Sequence, residues 1–240
     1  MSLLDYELAV PVEFGVGITS ERAVAHHPHD LEGARRFLNV AVAALGLIIA
    51  APLMALIAVA VKLTSPGPVF YRQTRVGLCP PASMGGNDRR CPESGGQLFT
   101  IYKFRTMQAV APSAESQVWC GTNDPRITPV GHFLRRSRLD ELPQLVNVLM
   151  GDMNVVGPRP EQPAIFVSLR KEVPGYSLRQ RVRPGITGLA QVTLAYDTCV
   201  DDVRKKVAAD LEYIANQSWL TDLGIMLRTV PVMVMRIGSR

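Results

Sequence analysis

Hydrophobic residues are spread unevenly along this chain. Residues 37–61 form a run of 25 positions in which Asn39 is the one strongly polar side chain. A helix crosses a bilayer in about 20 apolar residues, so this run is long enough to enter or span one. Pro52 sits near its middle, where it removes a helix hydrogen bond and predicts a kinked or broken axis. Basic residues flank both ends (Arg35 and Arg36, then Lys62), so the positive-inside rule assigns no direction. A helix–break–helix that enters and leaves through one leaflet fits both facts. A straight but kinked span is the alternative, and a buried core helix the third. The run begins too late for an ordinary secretory signal.

Beyond it, the pattern predicts smaller elements. Ser65-Pro66-Gly67-Pro68 is a rigid turn, followed by a short strand over residues 69–73. Residues 78–97 are a Gly/Pro-rich loop expected to be mobile. Residues 98–107 alternate as a strand and present Lys103 and Arg105. Helical periodicity begins at Val130, and residues 161–182 predict another helix or helix pair. A tight turn follows at 183–188, a short strand at 189–192 and a helix over 201–216. The stretch 219–237 is apolar and Met-rich with Arg228 and Arg236 interspersed, which suits a helix in a membrane interface or a core helix. The fold class is α/β in the loose sense (α+β, mainly helical with short strands). It is organised as an N-terminal extension without stable order at 1–34, a re-entrant membrane helix at 35–63 and a catalytic domain at 64–240.

Charge sharpens this division. Residues 1–34 carry six acids against Arg22 alone, so the net +5 of the chain hides about −5 there and +10 in the rest. No acid occurs from Ala34 to Asn87. That suits an anionic lipid surface or anionic substrates. Nucleic acid is set aside, because aromatics are 6% and no nucleic-acid-binding motif is present. The four cysteines (Cys79, Cys91, Cys120, Cys199) form no CxxC pair, and reduced thiols are favoured over a Cys79/Cys91 clip. His26, His27 and His29 read as solvated polar sequence.

The chemistry concentrates in RRSRLDELPQLVNVLMGDMNVVGPRP, residues 135–160. Ser137 followed three residues later by Asp140 has the form of a helix start, and Pro143 is tolerable only in a first turn. Asp140 and Glu141 would then lie near a helix N-terminus beside Arg135, Arg136 and Arg138, which favours an ionised Asp140. Adjacent helix positions point apart, so the two acids would have separate jobs. Taken alone, the pair reads equally as an acidic helix cap.

Four ordered motifs change that balance. KFRTM (103–107), LDELPQLVNVLMGDM (139–153), VGPRP (156–160) and RPGITGLAQV (183–192) together resemble the bacterial sugar transferase family. The resemblance covers roughly residues 35–237 and is to the small, monotopic form, since no run of four further spanning helices precedes the core. It implies transfer of sugar-1-phosphate from a UDP-sugar to polyprenyl (undecaprenyl) phosphate, releasing UMP. It also implies a location on the cytoplasmic face of a bacterial inner membrane, at the initiating step of glycoconjugate synthesis. Asp140 would be the covalent nucleophile and Glu141 the acid associated with Mg2+. Arg135, Arg159, Arg183 and Lys103 would bind phosphate or nucleotide. Pro52 would supply the helix break, although Ala51 stands where some members have serine. Membrane lipids are the remaining expected partner, and a homo-oligomer stays open. A non-catalytic scaffold of a polysaccharide assembly and a metal-dependent nucleotide-sugar hydrolase are the competing readings.

Overall fold

In the computed structural model, described for residues 29–79, 95–108, 124–194 and 200–234, one long helix lies along a smaller mixed domain. Helix α1 (His29–Thr64) contains the whole apolar run. It begins before residue 35, so part of the expected extension is helical. It also continues through Pro52 without interruption, because the turns on either side hold the helical path where the proline has no N–H to give.

A strand hairpin follows, β1 (Phe70–Val76) against β2 (Leu98–Phe104), antiparallel with Phe70 opposite Phe104 and Val76 opposite Leu98. Helix α2 (Pro129–Ser137) opens with Thr128 accepting from the Gly131 N–H at 2.9 Å. A 3-10 turn (Leu139–Glu141) and helix α3 (Gln144–Met150) come next. Strand β3 (Asn154–Val156) pairs in parallel with β4 (Gly185–Thr187), and between them lie α4 (Pro163–Glu172) and a 3-10 segment (Tyr176–Arg181). Helices α5 (Leu189–Thr193), α6 (Val200–Ala215) and α7 (Trp219–Val234) complete the order. Residues 189–192 are therefore helical, against the expected strand: a short apolar run has no periodicity to separate the two. Strand β4 instead occupies the predicted turn, where Gly185 packs so closely on Gly157 that a Cβ would overlap its backbone. Most of the 78–97 loop, the N-terminal histidines other than His29, Cys91, Cys120, Cys199 and Arg236 lie outside the described residues. Cys79 is disulfide-bonded, contrary to the reduced-thiol expectation. A bridge requires only two thiols within reach, which counting and spacing do not test.

Two apolar clusters form the core. The larger gathers α6 (Val203, Val207, Leu211) with β3, Phe166, Tyr176 and Ala43 of α1. The smaller joins Ile57 and Val61 of α1 to Phe104 and Leu134, with Leu139 and Leu142 packed against it. One stripe of α1 is thus buried near both ends, at Arg35, Asn39 and Ala43 in its first half and at Ile57 and Val61 in its second. Gly46 between them lies against Leu145. The other faces are apolar and open, with Phe37 at 76%, Ile48 at 72% and Leu63 at 81% exposure.

Polar groups set the register of this docking. Asn39 accepts from the Val155 N–H at 2.6 Å, which gives the one polar side chain of the apolar run its partner. Buried Arg35 donates to Asp222 at 3.0 Å and to the Tyr213 hydroxyl at 2.9 Å. Arg36 donates to the carbonyls of Val148 and Leu149, capping α3. At the other end of α1, buried Arg105 donates to the carbonyls of Ser65 (2.7 Å) and Pro66 (2.8 Å).

Candidate active site

The turn that carries Asp140 and Glu141 differs from the helix start expected of it. Ser137 is the last residue of α2, and its hydroxyl donates backwards to Phe133 O at 2.8 Å rather than capping the next turn. Arg138 then adopts a left-handed conformation (φ 59°, ψ 11°), the one positive φ outside glycine among the described residues. That residue ends α2 and starts the 3-10 turn, and α3 begins only at Gln144. Leu139 and Leu142, on either side of the acids, pack into the smaller core cluster and fix the turn.

Around this turn the fold gathers residues from distant parts of the chain. Lys103 of β2 reaches Glu141 Oε1 at 2.8 Å. Arg159, in the loop after β3, bonds Glu141 Oε1 at 2.6 Å and Oε2 at 3.3 Å. Burial opposes the charge on Glu141, but Arg159 and Lys103 outweigh it and hold the carboxyl well below its usual range. Burial lowers the Lys103 ammonium, and Arg159 adds to that effect against the pull of Glu141.

Asp140 is in the opposite condition. It is buried, its Oδ1 has no hydrogen-bond partner, and burial followed by the Glu141 charge raises its carboxyl to about 6. Lys103, Arg159 and Arg135 limit the rise. Near neutral pH Asp140 is therefore mostly a carboxylate, with an unpartnered oxygen and a basicity above that of an ordinary aspartate. Those are the properties of a nucleophile or of a cation ligand.

Arg135 is held by the Thr106 hydroxyl at 2.9 Å and contacts Met107 Sδ at 3.2 Å. Gly131 permits this approach of α2 to the segment that follows β2, since a Cβ there would overlap the Thr106 backbone. The structure thus brings Asp140, Glu141, Lys103, Arg135 and Arg159 together. Arg183 is placed elsewhere, donating to Gly151 O at 3.0 Å and pairing with Glu32 at 3.5 Å. Pro52 lies inside α1.

Among the described residues no group of three or more His, Cys, Asp or Glu side chains converges as a metal cage. Magnesium commonly takes only one or two carboxylates and completes its shell with substrate phosphates and water. Asp140 with its unpartnered oxygen, next to Glu141, fits that smaller requirement.

Sequence reasoning passed over several residues that build this site. Thr106 orients Arg135. Asn147, fully buried in α3, accepts from the Tyr102 N–H (3.1 Å) and donates to Thr100 O (2.7 Å), fastening the strand that carries Lys103. A single polar residue within the apolar run LVNVL was the available signal, as Asn39 was in α1.

The sequence pattern of the bacterial sugar transferase family matches residues 31–236. A UDP-glucose:undecaprenyl-phosphate glucose-1-phosphate transferase of Caulobacter vibrioides is 44% identical over 200 residues, 82% of this chain and 68% of that protein. A protein of the same name from Escherichia coli K12 is 40% identical over 206 residues, 83% of this chain but 41% of its own length. A UDP-N-acetylgalactosamine-undecaprenyl-phosphate N-acetylgalactosaminephosphotransferase of Aeromonas hydrophila is 38% identical, over 86% of this chain and 45% of its own. The chain therefore spans less than half the length of two of these three relatives.

Proposed function

The chain belongs to the bacterial sugar transferase family, and from that premise we propose that it transfers a sugar-1-phosphate from a UDP-sugar to undecaprenyl phosphate, releasing UMP. The observation that carries the reading is the Asp140 carboxylate, buried and raised to about 6 with one oxygen unpartnered, beside Lys103, Arg135 and Arg159. In the first half-reaction an Asp140 oxygen attacks the sugar-bearing phosphorus. The new O–P bond forms as the bond to the bridging diphosphate oxygen breaks, and UMP leaves with that oxygen. In the second, a phosphate oxygen of undecaprenyl phosphate attacks the same phosphorus and the Asp140 carboxylate is restored.

Arg135, Arg159 and Lys103 offset the charge of the diphosphate, with the arginines suited to paired contacts on phosphate oxygens. Arg183, tied to Gly151, would contact substrate only at the margin of the site. Asp140 and Glu141 would hold Mg2+, which supplies charge neutralisation for the diphosphate and its leaving group. Glu141 is already ionised by its two cationic neighbours, so a metal would displace their hydrogen bonds from it rather than a proton.

We infer further that α1, although helical throughout, bends at Pro52 and is re-entrant, and that the protein is monotopic on the cytoplasmic face of the inner membrane. Both halves of α1 dock on the same domain, through Arg35, Asn39 and Ala43 and through Ile57 and Val61, which leaves no stretch of about 20 residues free to cross a bilayer. The exposed row of α7 (Trp219, Leu220, Leu223, Leu227, Val230) suits the same interface.

The test is UMP release from a panel of radiolabelled UDP-sugars by the full chain in membranes. Sustained release that requires both undecaprenyl phosphate and Mg2+, with sugar label trapped on wild type but not on Asp140→Asn when undecaprenyl phosphate is left out, is the expected result. Turnover without undecaprenyl phosphate would make the protein a hydrolase. Activity lost in Glu141→Gln but kept in Asp140→Asn would remove Asp140 as nucleophile.

A further inference from the structure

Arg159 stands between Pro158 and Pro160, and the two prolines have no N–H with which to tie the loop down. The loop is held by its carbonyls instead. Pro158 O accepts from the Gly185 N–H at 2.9 Å, and Glu161 O accepts from the Val76 N–H at 2.9 Å. The two carbonyls between them are taken by side chains. Arg159 O accepts from Arg179 Nη2 at 3.2 Å, and Pro160 O from Arg75 Nη1 at 2.9 Å. Four consecutive carbonyls are therefore bound from β4, the 3-10 segment and β1.

The two guanidinium groups differ in what else they do. Arg179 is fully buried, bonded to Asp210 at 2.7 Å and stacked against the Tyr176 ring at 4.9 Å. Its neutralisation by Asp210 and its packing make it part of the core. Arg75 is half-buried on β1, steadied by Gln73 at 2.6 Å, and its charge is felt by Arg159, Glu161 and Glu141. It thus combines a grip on the carbonyl after Arg159 with a like charge close to the Arg159 side chain.

We propose that Arg75 is a positioning residue for the sugar-phosphate transfer: by binding Pro160 O it fixes the loop so that the Arg159 guanidinium is aimed at Glu141 and the substrate phosphate. Arg75 acts through Arg159 and does not touch the reacting atoms. This rests on the sugar-phosphate transfer proposed above, which gives Arg159 its phosphate role. The fork of donors matters, because one arm binds Pro160 O while the other is steadied by Gln73; a lysine ammonium lacks that planar geometry.

A double-mutant cycle separates this from a merely structural part. Single-turnover UMP release by the full chain is compared for wild type, Arg75→Met, Arg159→Lys and the double variant, with unfolding temperatures measured alongside. Arg75→Met is expected to slow release at least tenfold in the wild-type background and less than twofold when Arg159 is already lysine. Arg75→Lys should recover only part of the loss. An equal fold-loss in both backgrounds would overturn the proposal. Should Arg75→Met fail to fold, the same cycle is run with Arg75→Lys, and the same additivity decides. Absence of release by wild type with every UDP-sugar would instead overturn the functional reading, so the two failures are distinct.

Discussion

Asp140 and Glu141 are neighbours in sequence with opposite electrostatics, and the difference comes from who reaches each of them. Glu141 is bound by Lys103 and Arg159, whereas Asp140 has burial and the Glu141 charge against it. The effect on stability has a definite sign. A carboxyl raised from 3.8 to about 6 in the fold makes the native state relatively more stable below pH 4, and that advantage is lost as pH rises through 6. At pH 8 the ionised Asp140 costs about 2–3 kcal/mol, since each tenfold change in acidity is worth roughly 1.4 kcal/mol. Asp140→Asn should therefore raise the unfolding temperature at pH 8, with the gain shrinking by pH 4.5; an equal gain at both values would count against the raised carboxyl. The cluster was partly legible in the sequence. Motifs named Lys103, Asp140, Glu141 and Arg159, but the convergence of Lys103 and Arg159 on one carboxylate depends on contacts across the fold. The left-handed Arg138 was not legible, because nothing in RRSRLDE marks a break that glycine would normally announce.

At the scale of elements, the strongest periodic or apolar signals were readable: α1, the β1 and β2 strands, α6 and α7 all lie close to where the pattern placed them. The failures were short. Residues 183–192 exchanged turn and strand for strand and helix, since the β3–β4 pairing is set by close approach of Gly157 and Gly185 rather than by side-chain alternation. Elements are also joined by arginines that no periodicity reports. Arg105, two residues after Lys103, caps the end of α1 with bonds to Ser65 and Pro66 carbonyls and the Ser65 hydroxyl. Hydrogen bonds to a charged group contribute about 1.5–3 kcal/mol each when buried. Arg105→Met should lower stability by about 3 kcal/mol or more in denaturant titrations, with Arg105→Lys intermediate. A change below about 0.5 kcal/mol would mean that the cap is dispensable.

The whole molecule presents an apolar surface that water would not tolerate. Among the large apolar side chains exposed on α1 are Phe37, Leu45, Ile48, Ile49, Leu56 and Leu63. At about 1.5–3 kcal/mol for each side chain fully removed from water, their transfer into lipid is worth on the order of 10 kcal/mol. Only 11% of the most apolar part of the helix is buried within the protein. Single cysteines placed at Glu32 and Lys62, in a background lacking reactive native thiols, should both be labelled by an impermeant reagent from the cytoplasmic side. Labelling from opposite sides would establish a span. Composition made a long apolar helix evident, but not that its two halves share one domain, because the docking runs through scattered contacts of Arg35, Asn39, Ile57 and Val61. That docking means α1 is no detachable tether. Ile57 and Val61 are packed with the leucines that flank Asp140 and Glu141, so a soluble fragment starting after residue 64 would lose the floor of its own active site. A foreign anchor grafted in place of α1 would restore the address but not the enzyme.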